Sequence, residues 1–146
     1  MKYLGIIIIC VFSQWKSFAQ CDNISFGVTK DEIIKQCGTN YVGKIANDGT
    51  KFITYQRKLY NDEMKRNVEI IIAYYFMDIN EKEIYVQKIL LLPKSEANGY
   101  ISIYNDKFVK LGYLFWKDYA ENILYEVKFR DSVCSIIMRY DYYNVY

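Results

Sequence analysis

The sequence predicts an α+β fold, in which an antiparallel sheet carries two short helices on one face as a tandem α-β-β-β repeat. Three observations predict this fold. A compact helix pattern over residues 24–38 is followed by several strand patterns. A second helical stripe is followed by three further strand patterns. Aromatic residues make up 18% of the chain with one Pro and seven Gly, a composition that favours pleated strands over disorder.

The first helix has a start signal, an apolar face and a stop signal. Thr29 is a good N-cap residue, and Glu32 three positions later completes a capping-box pattern. One helical face is apolar: Ile33, Ile34 and Cys37. Gly38 supplies the stop. The predicted helix, Lys30 to Cys37, is too short to be stable alone in water, so we expect it to pack on the sheet.

Three strands are predicted after this helix. A non-helical segment, Tyr41 to Ala46, leads into the tight-turn signal Asn47-Asp48-Gly49. The strands themselves have β-branched and aromatic patterns: 52–57, 68–76 and 84–92. Because the connections are short, we expect antiparallel pairing.

The second half repeats this plan. Apolar residues at spacings of three, four and seven predict a helix from Ser95 to Leu111, which Gly112 would end. Three strand patterns follow: 114–119, 123–129 and 133–142. We therefore expect one α+β domain over residues 20–146 with two pseudo-repeats, 20–93 and 94–146.

The first nineteen residues have the pattern of a cleaved export signal. Lys2 precedes an apolar run, Leu4 to Phe12, that is too short to span a bilayer, and Ser17-Phe18-Ala19 offers a cleavage site before Gln20. Two alternatives are a buried strand over Ile6 to Phe12 and a lipoprotein anchored through Cys21. The leading interpretation predicts a periplasmic or secreted protein with no integral membrane span in the mature chain.

Charge and composition exclude several functional classes. The formal net charge of +2 comes from Lys2 and Lys16, so residues 20–146 are neutral overall and nucleic acid is not expected as a partner. The chain has no His, which removes the usual general base and the commonest zinc ligand. No Gly-rich phosphate loop is present. We expect no catalytic residues, no metal and no cofactor.

Paired carboxylates are the remaining catalytic possibility. Asp118 with Glu121, or Asp62 with Glu63, could serve a small carboxylate-dependent hydrolase if each pair faced a cleft. Each pair lies at a strand end or in a loop, where acids are usually solvated. A hydrolase is therefore an alternative and not the leading hypothesis.

The strand faces favour a binding role. Alternation places one apolar side toward the helices and one mixed side toward water. Four tyrosines are predicted on the mixed side: Tyr75, Tyr85, Tyr119 and Tyr143. Tyrosine is common at contact surfaces. The leading hypothesis is an exported, non-catalytic protein whose open sheet face binds another protein or a cell-envelope component; a carrier that closes its sheet around an apolar ligand is a further alternative. Trp116 is expected in the core.

Three cysteines lie after the predicted signal, and an oxidising compartment would permit one disulfide. Cys21 and Cys37 bracket the first helix, and the extended segment between them is long enough to fold back. Cys37 with Cys134 is the competing pair. Because Cys134 alternates with apolar residues on its strand, the first pairing leaves it as a buried thiol.

The stretch Phe26-Gly-Val-Thr-Lys-Asp-Glu-Ile-Ile, together with Gly38 and the later Tyr74-Tyr75-Phe76, resembles the entry motif of β-lactamase-inhibitor-like proteins and of small outer-membrane assembly lipoproteins. In these proteins a short helix packs on an antiparallel sheet, sometimes twice in tandem. The resemblance covers Ile24 to Gly38 most specifically. It implies a non-enzymatic binding role in the periplasm or outside the cell.

Overall fold

The computed structural model describes residues 24–61 and 65–142. Within them lie two α-helices, one 3-10 helix and eight strands: α1 (Lys30–Cys37), β1 (Val42–Ile45), β2 (Lys51–Asn61), β3 (Arg66–Ile79), β4 (Lys82–Pro93), the 3-10 helix (Lys94–Glu96), α2 (Ala97–Lys107), β5 (Val109–Gly112), β6 (Phe115–Asp118), β7 (Ile123–Arg130) and β8 (Val133–Tyr140). The predicted α+β class with an antiparallel sheet and two short helices is confirmed.

The strands form one sheet in the order β1-β2-β3-β4-β8-β7-β6-β5. Every pair in it is antiparallel. The first four strands form one meander and the last four form another. The meanders meet where β4 pairs with β8, from Gln87 opposite Arg139 to Pro93 opposite Val133. The strands that close the two meanders are therefore neighbours at the centre of the sheet.

Helix α1 has the predicted bounds because its local signals act as expected. The Oγ1 atom of Thr29 accepts a hydrogen bond of 3.3 Å from the backbone N–H of Glu32. Ile33 is fully buried. The N–H of Gly38 donates to the carbonyl of Ile34 at 2.8 Å, and Gly38 has a φ of 94° that side chains rarely adopt. The helix ends there for a local backbone reason.

The second helix is shorter than the predicted segment, Ser95 to Leu111. Helix α2 ends at Lys107, and Phe108 is extended with φ −121° and ψ 159°. The Phe108 ring stacks on Tyr125 of β7, with centroids 4.5 Å apart. The continuing apolar stripe thus reflects packing on the sheet and not further helix. Residues Val109–Gly112 form the edge strand β5, so each half has four strands and not three.

The helices pack on the sheet through aromatic residues. Tyr104 of α2 contacts the rings of Trp116, at 5.6 Å, and Tyr125, at 4.8 Å. On the other half, the Tyr55 hydroxyl donates to the carbonyl of Gly38 at 2.8 Å, and Arg57 donates to the carbonyl of Cys37 at 3.1 Å.

Trp116 is fully buried, as predicted, and its Nε1 donates to Oδ1 of Asn105 at 3.0 Å. Across residues 24–61 and 65–142, no helix is long and apolar enough to cross a membrane.

Candidate functional site

The sheet has two faces, and the register defines which side chains share each one. Paired residues in an antiparallel ladder project to the same side, and the side alternates along a strand. We call the two sides the Tyr74 face and the Tyr75 face after adjacent residues of β3. Tyr74 is fully buried, whereas Tyr75 is half-buried.

The predicted position of Tyr85 on the exposed side is wrong. Tyr85 is 1% exposed, its ring stacks on Phe26 at 4.7 Å, and it meets the edge of Tyr74 at 5.3 Å. The cause is a bulge in β4: Tyr75 pairs with Gln87 but the next residue of β3, Phe76, pairs with Tyr85. The extra residue, Val86, breaks the alternation and moves Tyr85 to the Tyr74 face.

Tyr75 does lie on a partly exposed surface. Its ring stacks on Phe52 of β2, with centroids 4.6 Å apart and planes 13° apart. Burial raises the pKa of its hydroxyl, and the charge of Asp48 adds to this rise. Tyr75 therefore contributes to an aromatic pair near one end of the sheet.

Tyr119 lies far from Tyr75. It follows β6, is 63% exposed, and has the Lys117 ammonium 4.9 Å from its ring centroid. Strands β4, β8 and β7 separate β3 from β6, which places the two tyrosines roughly 19 Å apart at the usual strand spacing. Tyr143 lies outside the described residues. Tyr75 and Tyr119 thus do not form a tyrosine patch by themselves.

The Tyr75 face instead carries a strip of aliphatic side chains across its centre. Ala73 pairs with Ile89, and Ile89 pairs with Ile137, so that the three lie in one row across β3, β4 and β8. Ile71 and Leu91 form the adjacent pair. These five residues are named the Ile89 strip. Ile71 is 40% exposed, Ala73 is buried, and the other three are half-buried.

A sequence signal for this strip was available. The central strands contain apolar runs with little polar alternation, such as Ile70 to Phe76, Ile89 to Leu92 and Ile136 to Met138. Such runs are typical of strands with apolar residues on both faces. Reading them as simple in-and-out alternation missed the aliphatic character of the second face.

Two arginines lie on the same face of the sheet as the Ile89 strip. Arg139 pairs with Gln87 across β4 and β8, and Arg130 pairs with Val133 across β7 and β8. Because paired residues project to the same side, both arginines lie on the Tyr75 face. No ion pair within the described part of the chain involves either arginine. By contrast, Lys128 lies 3.3 Å from Glu126 and Lys58 lies 3.6 Å from Glu69. The uncompensated charge on this face is therefore positive.

The Tyr74 face has a half-open pocket of about 410 Å³ between the two meanders. Its walls combine apolar and aromatic side chains with polar and charged groups: Ile24, Ser25, Phe26, Tyr85, Lys88, Glu121, Ile123, Tyr125, Met138 and Tyr140. Its volume is within the range of small-molecule sites. The bulged Tyr85 is thus both a core residue and part of a pocket wall.

Of the proposed acid pairs, only Asp118 with Glu121 lies within the described residues, and Asp118 is bound by backbone groups of the following turn. Oδ1 of Asp118 accepts hydrogen bonds from the backbone N–H groups of Ala120, at 2.9 Å, and Glu121, at 3.2 Å. This carboxylate therefore shapes the turn after β6. Asp62 and Glu63 lie outside the described residues. Over residues 24–61 and 65–142, no group of three or more His, Cys, Asp or Glu side chains could hold a metal ion.

The competing disulfide is not formed. Cys134 is a free, fully buried thiol, so it does not pair with Cys37. Burial raises the pKa of the Cys134 thiol, which keeps it protonated and unreactive. Cys21 lies outside the described residues, and its pairing with Cys37 stays a prediction.

Comparison of the chain with protein-family models, with curated proteins and with solved structures gives no match.

Proposed function

We propose that this chain is an exported, non-catalytic binding protein that recognises a partner protein through the Ile89 strip on its Tyr75 face. The observation that carries this proposal is the partly exposed aliphatic strip at the centre of an eight-stranded sheet. Contiguous apolar surface on a folded protein commonly marks an interaction site. Ile71, at 40% exposure, is its most accessible member.

We also propose that both helices cover the Tyr74 face, which leaves the Tyr75 face open. The two halves of the chain would then be a tandem repeat of one helix and four strands. Contacts support the position of the helices. Tyr55 contacts the end of α1, and Tyr125 contacts α2. The strand pairing from β2 through β3, β4 and β8 to β7 places these two tyrosines on the same face of the sheet. The mirrored strand order supports the tandem repeat.

Charge defines the partner. Arg130 and Arg139 add positive charge beside the Ile89 strip, so a complementary surface has an apolar centre and acidic residues at its rim. A second copy of this chain would bring like charges together, which disfavours self-association through this face. An acidic, apolar-centred protein of the cell envelope is the partner that fits.

Export is the second part of the proposal. The signal pattern of residues 1–19 predicts cleavage before Gln20, and the resemblance to β-lactamase-inhibitor-like proteins is consistent with a binding role outside the cytoplasm. Intact mass spectrometry of the protein recovered from the periplasm or the medium tests this point. A species that retains Met1, or that carries lipid on Cys21, would contradict it.

A photo-crosslinking side chain placed at residue 71 tests the binding surface. We expect it to capture a specific acidic partner in cells, whereas the same side chain at Ile103 should not. Ile103 is a matched control because it is also an exposed isoleucine, 48% accessible, but lies on α2.

The purified complex then tests the energetics. Ile71→Asp should weaken binding by about tenfold or more, because it places an acid against an acidic rim and removes apolar contact. Ile103→Asp should leave the affinity unchanged. Equal weakening by both variants, or crosslinking from both positions to the same protein, would place the interface elsewhere.

A further inference from the structure

The pocket on the Tyr74 face is built around Tyr85. Backbone hydrogen bonds fix the wall beside it: the N–H of Gly27 donates to the carbonyl of Tyr85, and the N–H of Tyr85 donates to the carbonyl of Val28, both at 2.9 Å. These bonds hold Phe26 against the Tyr85 ring. The opposite wall comes from β7 and β8 of the second half. The pocket is therefore part of the folded framework.

Tyr85 has unused hydrogen-bonding capacity inside this pocket. Its side chain is 1% exposed, yet no hydrogen bond within residues 24–61 and 65–142 involves its hydroxyl. Among the described residues, this oxygen is not one of the fully buried side-chain atoms that lack a partner, so water can reach it. A ligand acceptor in the pocket would replace that water and pair with the hydroxyl in less polar surroundings.

The Tyr85 and Tyr125 hydroxyl groups remain protonated hydrogen-bond donors over the physiological pH range. Burial, and then the neighbouring Tyr74 and Tyr125, raise the pKa of Tyr85. Burial, and then the charges of Asp118 and Glu121, raise the pKa of Tyr125 to about 12. Lys88 adds a cationic group to the same wall. A ligand group that faces this side should therefore be an acceptor with negative charge.

We propose that this pocket binds a small monocarboxylate with an aromatic or branched apolar body, whose carboxylate accepts a hydrogen bond from the Tyr85 hydroxyl. The apolar body packs on Phe26 and Met138. Glu121, which is exposed on the pocket's rim, repels a second anionic group. The site is independent of the Tyr75 face and adds a ligand to the function proposed above.

Two sources could supply this chemistry: a free organic acid or the C-terminal residue of a peptide. Calorimetric titration with 4-phenylbutyrate, and separately with a short neutral peptide that ends in a free Phe carboxylate, distinguishes them. We expect at least one of the two to bind. The corresponding amides should bind about tenfold more weakly, since they lose the hydrogen bond to a charged acceptor.

Tyr85→Phe tests the role of the hydroxyl while keeping the ring. We expect this variant to bind the acid about tenfold more weakly. Tyr104→Phe is the matched control: Tyr104 is also buried, and no hydrogen bond of the described residues involves its hydroxyl, but it does not line the pocket. Thermal unfolding of both variants checks that each one is folded.

Three results would overturn the proposal. The first is the absence of binding by the wild-type protein up to millimolar acid. The second is equal affinity for the acid and its amide, a comparison that needs no variant. The third is unchanged affinity in a folded Tyr85→Phe protein. Glu121→Gln should strengthen binding by about twofold, because a screened repulsion at the rim is removed.

Discussion

Lys117 and Asp141 form an ion pair of 2.7 Å although their side chains are only 5% and 6% exposed. The backbone around the pair is held as well: the N–H of Asp141 donates to the carbonyl of Asn122 at 2.9 Å, and Nδ2 of Asn122 donates to the carbonyl of Asp141 at 2.8 Å. The pair thus ties the end of β8 to β6 across β7. Each charge of the pair is buried, so loss of either one removes a short ion pair from the interior.

Removing one charge of this pair should destabilise the protein strongly. We expect Lys117→Met to lower the free energy of unfolding by about 3 kcal/mol, because the buried Asp141 carboxylate loses the cation that lies 2.7 Å away. Urea denaturation measures the change. Lys58→Met is the control, since Lys58 pairs with Glu69 but both side chains are more than half exposed; its effect should be below about 1 kcal/mol. Similar losses in both variants would show that burial does not strengthen the pair.

Stability should fall at alkaline pH because of the buried tyrosines. Burial raises the pKa of Tyr55 and of Tyr125 to about 12, and it also raises the pKa values of Tyr85 and Tyr104. An unfolded tyrosine ionises near pH 10. The stability that these tyrosines contribute is therefore fully present below about pH 10 and is lost as the pH rises toward about 12. The free energy of unfolding should fall by up to about 1.4 kcal/mol per pH unit for each group.

Urea unfolding at several pH values, together with the absorbance of tyrosinate, measures this loss. Tyr125→Phe should reduce the slope, because one group with a raised pKa is removed. An unchanged slope in that variant would mean that other groups, such as lysines, control the alkaline transition.

Truncation should destabilise the protein far more at Tyr85 than at Tyr119. Tyr85→Ala removes a fully packed ring and should cost about 3 kcal/mol or more of stability. Tyr119→Ala removes an exposed ring and a single contact with Lys117, so its cost should stay below about 1 kcal/mol. Denaturant titrations of the two variants make the comparison. A small effect at Tyr85 would contradict the bulge that turns it inward.

The predicted disulfide gives a separate test. Peptide mapping without reduction should recover Cys21 linked to Cys37, and closing this loop should stabilise the protein by roughly 3 kcal/mol in the chain-entropy model. Cys134 should resist alkylation until the protein unfolds, because its thiol is buried. Rapid alkylation of Cys134 in the native protein would contradict this assignment.

Local signals were sufficient for some elements. The cap at Thr29 and the stop at Gly38 define α1 because both act through neighbouring backbone groups. The strand patterns located six strands, and the burial of Trp116 followed from its alternation with apolar residues. In these cases short-range chemistry and tertiary packing favour the same conformation.

Other features depend on tertiary structure. The extra residue Val86 in β4 has no local marker, and it alone moves Tyr85 from the exposed side to the pocket. The stripe through Phe108 resembles helix because the ring packs on Tyr125, a residue that is distant in sequence. The pocket could not be foreseen for the same reason, since its walls come from both halves of the chain.

The junction between β4 and β8 has a practical consequence for dividing the chain. A cut between Pro93 and Lys94 would separate the two meanders and give each fragment one long unpaired edge, β4 or β8. These edges are complementary in register, and the side chains on their Tyr74 face include Leu90, Leu92 and Ile136, which are buried in the intact protein. Co-expressed fragments should therefore reassemble. Halves of a split reporter protein fused at the cut would then report on association of the two fragments.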